Sequence, residues 1–294
     1  MSIDDVIDGA TYPVVMGATI ADFAALVAVG VPWQPAAYAA VALAAVVIIA
    51  LEAFRPHRRE WQPDRSAVLN DAAFLALVQM VLPIVVSGVA LFALASIGRH
   101  LELRVQSWWP HSWPLVAQLL LMLLIGDFFR YWMHRAFHAR TGWWRFHAVH
   151  HSPNGLYWLN VGRFHPFEKT VQLAVDTLPF ALVGVDDSVL AAYLVVYAVN
   201  GFFQHSNCRV RLGWGNYVIS GPELHRWHHS RIIAESDNNF GNNLIVWDVL
   251  FGTRYLPTDR EVEELGLLNR AYPDDFVTQM ATPWRKGLDK ASPT

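Results

Sequence analysis

Residues 114–138 read "PLVAQLLLMLLIGDFFRYWMHRAFH". The stretch up to Met133 is long and apolar enough to cross a bilayer as a helix. The last five residues add His134 and His138 at i and i+4, which share one helical face about 6 Å apart at Cβ. Asp127 lies two turns before His134 on the same stripe. A spanning helix that leaves the bilayer already bearing a pair of imidazoles predicts an all-α integral membrane protein with polar chemistry at its interface.

The rest of the chain agrees. It has 294 residues, 54% hydrophobic and 16% charged, whereas an ordinary soluble domain is about a quarter charged. Mean hydropathy is +0.25. The 13 Trp suit a chain rich in interfacial aromatics. A formal net charge of −3 gives no sign of a nucleic-acid surface. One cysteine, Cys208, excludes an internal disulfide framework and any multi-cysteine zinc or iron–sulfur site. The opening "MSIDDVIDGA" is acidic and does not read as a cleaved signal peptide.

Outward from the 114–133 span, "AAFLALVQMVLPIVVSGVALFALASI" (72–97) is a second strong span with an expected kink at Pro83. "YAAVALAAVVIIALEAF" (38–54) reaches span length with its flanks. The stretch 12–31 carries Asp22 and reads either as a first span or as an interfacial helix. Residues 171–203 are broken by "VGVDDS", which predicts a helical hairpin or two tilted helices. The expectation is a bundle of about four transmembrane helices plus this hairpin, with a helical cytosolic cap. Arg55, Arg58, Arg59 and Arg65 follow one span, and Arg135, Arg140, Arg145, Arg163 and Lys169 follow another two spans later. Both regions fall on one side, read as cytoplasmic. The predicted location is an inner or plasma membrane, with the cap on the cytoplasmic side. The divisions expected are 1–113, membrane helices; 114–256, a catalytic domain; and 257–294, a cytoplasmic tail ending in a disordered "DKASPT".

Two further stretches repeat one pattern: "HAVHHS" (147–152) and "HRWHHS" (225–230). His147, His150 and His151, and again His225, His228 and His229, stand at i, i+3 and i+4. Crowded neutral imidazoles pack poorly and repel once protonated, and a metal resolves both problems. With His134 and His138 these make eight imidazoles, too many for one tetrahedral zinc but suited to two ions. His205, where the hairpin returns to the same side, reads as a ninth ligand. His165, in "RFHPFE", is a possible additional ligand, a donor behind the ligands or a substrate-facing residue. His57, His100 and His111 read as ordinary loop residues. Imidazole donors leave several metals open. A site at the membrane interface can admit a lipid from the bilayer, and two irons can activate O2 to attack unactivated C–H bonds.

The stretches "DFFRYWMHRAFH", "HAVHHS", "RFHPFE", "FFQHSN", "HRWHHS" and "NNFGNNLIVWDVLFGT" occur in this order over roughly 120–255. In this the chain resembles the fatty acid hydroxylase / sterol desaturase superfamily of integral membrane di-iron oxygenases. The resemblance implies two iron ions, with zinc a possible substitute in purified material, and O2-dependent hydroxylation of a fatty acyl, sterol or related lipid. It carries metal ligation onto the eight clustered histidines and onto His205. Desaturation by the same site is the close alternative, and a His-rich metal transporter or metal-binding protein a more distant one. The chain departs from some family hydroxylases, which place two histidines four apart before the last cluster. Here Gly201 and Arg209 flank His205 at that spacing, leaving an open position, a water or an amide such as Asn200 or Asn207.

Asp127, Glu168, Glu223, Asp237, Asn238 and Asp248 sit beside the clusters and are candidates to orient the rings. Trp132, Trp144, Trp158 and Trp227 are candidates for a substrate tunnel. No haem-attachment, iron–sulfur or dinucleotide motif is present. Electrons are therefore expected from a separate ferredoxin or small haem protein, for which Arg135, Arg140, Arg145 and Arg231 offer a basic rim.

Overall fold

The computed structural model describes residues 2–90 and 108–291, and among these there is no β-strand, only isolated bridges. Among the described residues four helices are long and apolar enough to cross a membrane: α1 (Ile3–Ala28), α2 (Trp33–Phe54), α3 (Arg65–Ala90) and α4 (Leu115–Ala139). Residues 12–28 of the 12–31 segment thus belong to a helix of span length. That helix starts earlier than its apolar run because Ser2 and Asp5 form a capping box: Asp5 N–H donates to Ser2 Oγ, and Ser2 N–H to the Asp5 carboxylate.

The expected disturbance at Pro83 takes the form of a π-helical stretch, Leu75–Val81, just before it. A proline removes one N–H from the ladder and crowds the preceding turn, and a wider turn relieves both. The chain at Gly162 packs against this stretch, where an added Cβ would stand 3.4 Å from Leu75 Cα. Gln79 donates there to the Gly162 carbonyl at 3.2 Å. The rest of the 72–97 segment lies outside the described residues, as do Arg99, His100 and Arg104.

The 171–203 stretch is broken as expected, into α6 (Pro166–Asp176) with a short turn of helix after it and α7 (Asp187–His205), with α5 (Thr141–His151) before them and α8 (Pro222–His228) after. Small residues let α7 lie close to α2, with Ala191, Ala192 and Val195 against Ala36, Ala37 and Ala40. Farther along α7, Val199 and Phe203 pack with Tyr12 and Ile48, and the Tyr12 hydroxyl donates to Asn200 Oδ1 at 2.8 Å. At the end of α2, the Glu52 carboxylate accepts from the N–H groups of Trp158 and Asn207, each at 2.8 Å. This joins the end of a membrane helix to the two loops beneath it.

The segment after 256, read as a cytoplasmic tail, packs against the helices that precede it. Val262 and Leu265 pack in a core with Trp61, Leu156 and Trp227, and Tyr272 packs with Trp144 and Ala148. Asp289 accepts from Arg145 at 2.7 Å. Lys290 donates to the His138 carbonyl at 3.1 Å and pairs with Asp237. The first residues of "DKASPT" are therefore anchored, and residues 292–294 lie outside the described part. Composition marked this stretch as polar and turn-rich but held no sign that it folds back over α5.

Candidate metal centre

The polar end of α4 meets α5, the last turn of α7 and α8 below the spans. These four elements carry eight of the nine clustered histidines and His229 follows directly as the C-cap of α8; none of the nine is more than 9% exposed. They form two groups. His134, His138, His147, His151 and His228 make one; His150, His205, His225 and His229 make the other. Within each, the candidate ligand atoms all lie within 4.8 Å of one another.

The doubled motif is shared crosswise. The i and i+4 rings of each copy stay together, with Nε2 atoms 3.1 Å apart in both the His147/His151 and His225/His229 pairs. The middle ring goes to the opposite group, His150 beside His229 at 3.2 Å and His228 among the rings of His134, His138 and His151. His134 adds its Nε2 3.0 Å from that of His147, and His138 3.1 Å from that of His151. In the second group His205 stands 3.0 Å from His225.

These contacts are not ordinary hydrogen bonds. Six of the rings have Nδ1 beside an oxygen that can only accept. His134 donates to the Phe240 carbonyl at 2.9 Å, His150 to that of Arg163 at 3.3 Å and His228 to that of Asn238 at 2.8 Å. His138 donates to the Asp237 carboxylate at 2.9 Å, His147 to that of Glu168 at 2.8 Å and His205 to Asn160 Oδ1 at 2.8 Å. A neutral ring protonated on Nδ1 has a bare lone pair on Nε2. The lone pairs therefore converge, and His228 Nε2 is buried with no partner. Added protons do not resolve this. Burial presses His228 down to about 3, and burial and the neighbouring rings press His150, His151, His225 and His229 well below the usual imidazole value. Metal cations fit. Two nitrogens each about 2.1 Å from one ion stand about 3.0–3.2 Å apart when they subtend roughly 90–100°.

The other candidates are placed as follows. Glu168 and Asp237 reach rings directly, and Asn238 does so through its carbonyl. Asp127 does not. Its carboxylate accepts from Asn243 N–H and Nδ2, each at 2.8 Å, and from Leu244 N–H, capping the 243–244 loop. Asp248 acts on the same loop, accepting from the N–H groups of Phe240 and Gly241 at 2.8 and 2.7 Å. It thereby holds the carbonyl that His134 uses. Gly241 is needed there, since a Cβ would meet the Leu244 carbonyl oxygen at 2.4 Å. Glu223 accepts from Leu212 N–H and Asn216, away from the rings. His165 joins neither group. Its Nδ1 accepts from Phe167 N–H at 3.1 Å as the N-cap of α6, and its ring packs on Phe146 and Trp284. Asn200 and Asn207 are committed elsewhere, to Tyr12, Ser220 and Asn242, and to Arg58. Asn160 and the carbonyls of Arg163 and Phe240 were missed, because nothing in a sequence marks a carbonyl that a fold will turn toward a ring. The Asn239–Gly241 turn was the available signal: Asn239 has φ 57°, and its amide ties Leu224 to Tyr255.

A cavity of about 590 Å³ runs from His134, His147, His150, His205 and His225 up between α2, α3, α4, α6 and α7. Met122, Leu173, Leu190 and Leu194 are among its apolar walls, and Gly201 lies in the wall beside His205. None of the four Trp candidates lines it. Trp144 packs on the rings of His138 and His151, Trp158 on Phe202 and Trp227 on Tyr255, and Trp132 lies against Phe251.

The profile of the fatty acid hydroxylase family matches residues 119–253, which include all nine histidines. An ornithine lipid hydroxylase of Rhizobium tropici is 34% identical over 249 residues, 83% of this chain and 75% of the relative. A very-long-chain aldehyde decarbonylase of Oryza sativa is 29% identical over 146 residues, 49% of this chain and 54% of the relative. An alkylglycerol monooxygenase of Xenopus tropicalis is 30% identical over 142 residues, 48% of this chain and 31% of the relative. No solved structure matches. With one relative aligned along three quarters of its length and the profile spanning the whole histidine set, the chain belongs to the fatty acid hydroxylase family.

Proposed function

We propose that this chain is a membrane-bound, O2-dependent lipid hydroxylase whose two histidine groups hold two iron ions. As a member of its family it is an oxidoreductase acting on lipid in a membrane setting. The observation that carries the proposal is the division of nine buried imidazoles into groups of five and four that open on a cavity among apolar helices. Five nitrogens exceed a tetrahedral zinc shell, although zinc can replace iron in purified material.

Two bound irons would supply the reductive activation of O2 needed to oxidise a C–H bond. The chain supplies placement. Glu168 and Asp237 keep the Nδ1 protons on His147 and His138, which leaves Nε2 free and fixes the ring planes. The apolar cavity walls exclude water and hold the lipid chain. Electrons arrive from a separate ferredoxin or small haem protein, since the one cysteine is buried and this sequence encodes no carrier motif. Two members of the proposed basic rim are already neutralised, Arg145 by Asp289 and Arg231 by Glu264, leaving Arg135 and Arg140 for that contact. The site faces the cytoplasm, by the excess of arginine after the spans. A lipid with an amino-acid headgroup is the first substrate to test, given the ornithine lipid hydroxylase relative.

The test compares lipid extracts from cells with and without the gene, alongside the metal content of the purified protein. One added oxygen in a membrane lipid and two irons per chain are expected. Loss of two hydrogens would assign desaturation to the same site. An unchanged lipid profile with altered metal tolerance would replace the enzyme with a transporter.

A further inference from the structure

The cavity has a charged end. Arg130, Glu168, Lys169, Asp176 and Tyr193 lie in its wall, and each is buried. Most of these charges are matched. Arg130 Nη1 is 2.9 Å from Asp176 Oδ2. Glu168 Oε1 accepts from His147 and, at 3.0 Å, from Gln172, while its Oε2 is buried without a partner. Lys169 is the exception. It is 5% exposed, no carboxylate among the described residues lies within ion-pair distance of its ammonium, and the Tyr197 ring lies 5.8 Å from it. Tyr193 Oη is also buried with no partner. It points toward α4 at Gly126, where a side chain would begin 3.7 Å from it.

A buried hydroxyl without a partner opposes folding, and an ammonium in a cavity wall with no acceptor beside it is left to whatever fills the cavity. Two such donors in one cavity wall are accounted for by a ligand that pairs them. The ligand must present an anionic oxygen, because Lys169 can only donate and carries a full positive charge. Position follows from the helices. Lys169 adjoins Glu168, which holds His147, and Arg130 lies one turn, about 6 Å, before His134 on α4.

We propose that Lys169 and Tyr193 form a binding site for an anionic oxygen group of the lipid, a carboxylate or a phosphate, inside the cavity and about one helical turn from the histidine groups. Combined with the hydroxylase reading, on which this step rests, the site directs oxidation to a carbon a few bonds from that group rather than far along an acyl chain.

The test is equilibrium binding of four amphiphiles with one chain length, hexadecanoate, hexadecyl phosphate, hexadecanol and hexadecylamine, to chelator-treated protein in nonionic detergent. The wild type binds at least one anion about tenfold more tightly than hexadecanol, and whichever anion wins identifies the source of the oxygen. K169M removes the preference while hexadecanol affinity stays within about twofold, Y193F reduces it and K169R retains it. The melting temperature of K169M equals or exceeds that of the wild type, since an unmatched buried charge has gone. Equal binding of acid and alcohol by the wild type overturns the proposal, as do tighter binding of the amine, an anion preference surviving in K169M, and a K169M protein that melts lower and loses hexadecanol. No metal or turnover enters this assay. Its failure leaves the hydroxylase reading standing, and a protein without two irons leaves the binding site standing.

Discussion

His228 and His229 are adjacent, have the same side chain and are both 0% exposed, yet they belong to different groups. Replacing each by Ala is therefore a matched perturbation. The loss of buried volume is the same, and any difference reports the metal shells. His228→Ala reduces five imidazoles to four, and His229→Ala reduces four to three. Four-ligand sites bind a metal ion with roughly 10–16 kcal/mol, so one donor of four is worth roughly 3 kcal/mol, about a hundredfold in Kd. The five-membered group keeps a full tetrahedral complement after its loss and should weaken less. The assay is metal release into graded chelator, read as irons retained per chain. His229→Ala is expected to fall to about one iron at chelator concentrations where His228→Ala retains both. Pairing makes the test sharper. His228→Ala with His138→Ala, both in one group, should be non-additive, and His228→Ala with His229→Ala close to additive. Equal release from the two single variants, or greater loss from His228→Ala, would refute the crosswise division.

Two further outcomes follow from the site. Burial holds His228 at about 3 and four other rings well below 6.5, so each takes up a proton on unfolding below 6.5. Their stabilising contribution is full above 6.5 and is lost as pH falls toward the folded value, at about 1.4 kcal/mol per pH unit per ring. Metal-free protein should thus lose at least about 1 kcal/mol between pH 7.5 and 5.5 in denaturation experiments, and a flat profile would show that the rings are not buried as described. His165→Ala should cost the cap of α6, about 0.5–2 kcal/mol, with metal content unchanged; loss of an iron would restore His165 to the ligand set.

The reading of Asp127 and Glu223 shows where local proximity stops being informative. Both sit within one or two turns of a histidine, but each carboxylate turns to loop N–H groups that have no helical partner of their own. Asp237 is equally local in sequence and does reach a ring, that of His138, 99 residues away. The choice depends on which loop passes overhead, and no spacing encodes that. His165 is a similar case: beside Pro166 at the start of a helix, the unfilled N–H of Phe167 claimed its ring.

The sequence by itself determined the material of this protein. Apolar runs set the four span-length helices, because only a helix satisfies its own backbone in a bilayer. The two HxxHH repeats and the His134/His138 pair announced a metal site, because helical periodicity puts i and i+4 within about 40° of each other. Tertiary structure decided how the rings are shared. At about 100° per residue, the middle histidine of each repeat lies about 60° from the first on the side away from the last. Which group it joins depends on what α4 and α7 bring to that side. The same packing folded residues 257–291 back over the site and left Lys169 in the cavity wall without an ion-pair partner among the described residues. Those are relations between distant segments, which local periodicity does not carry.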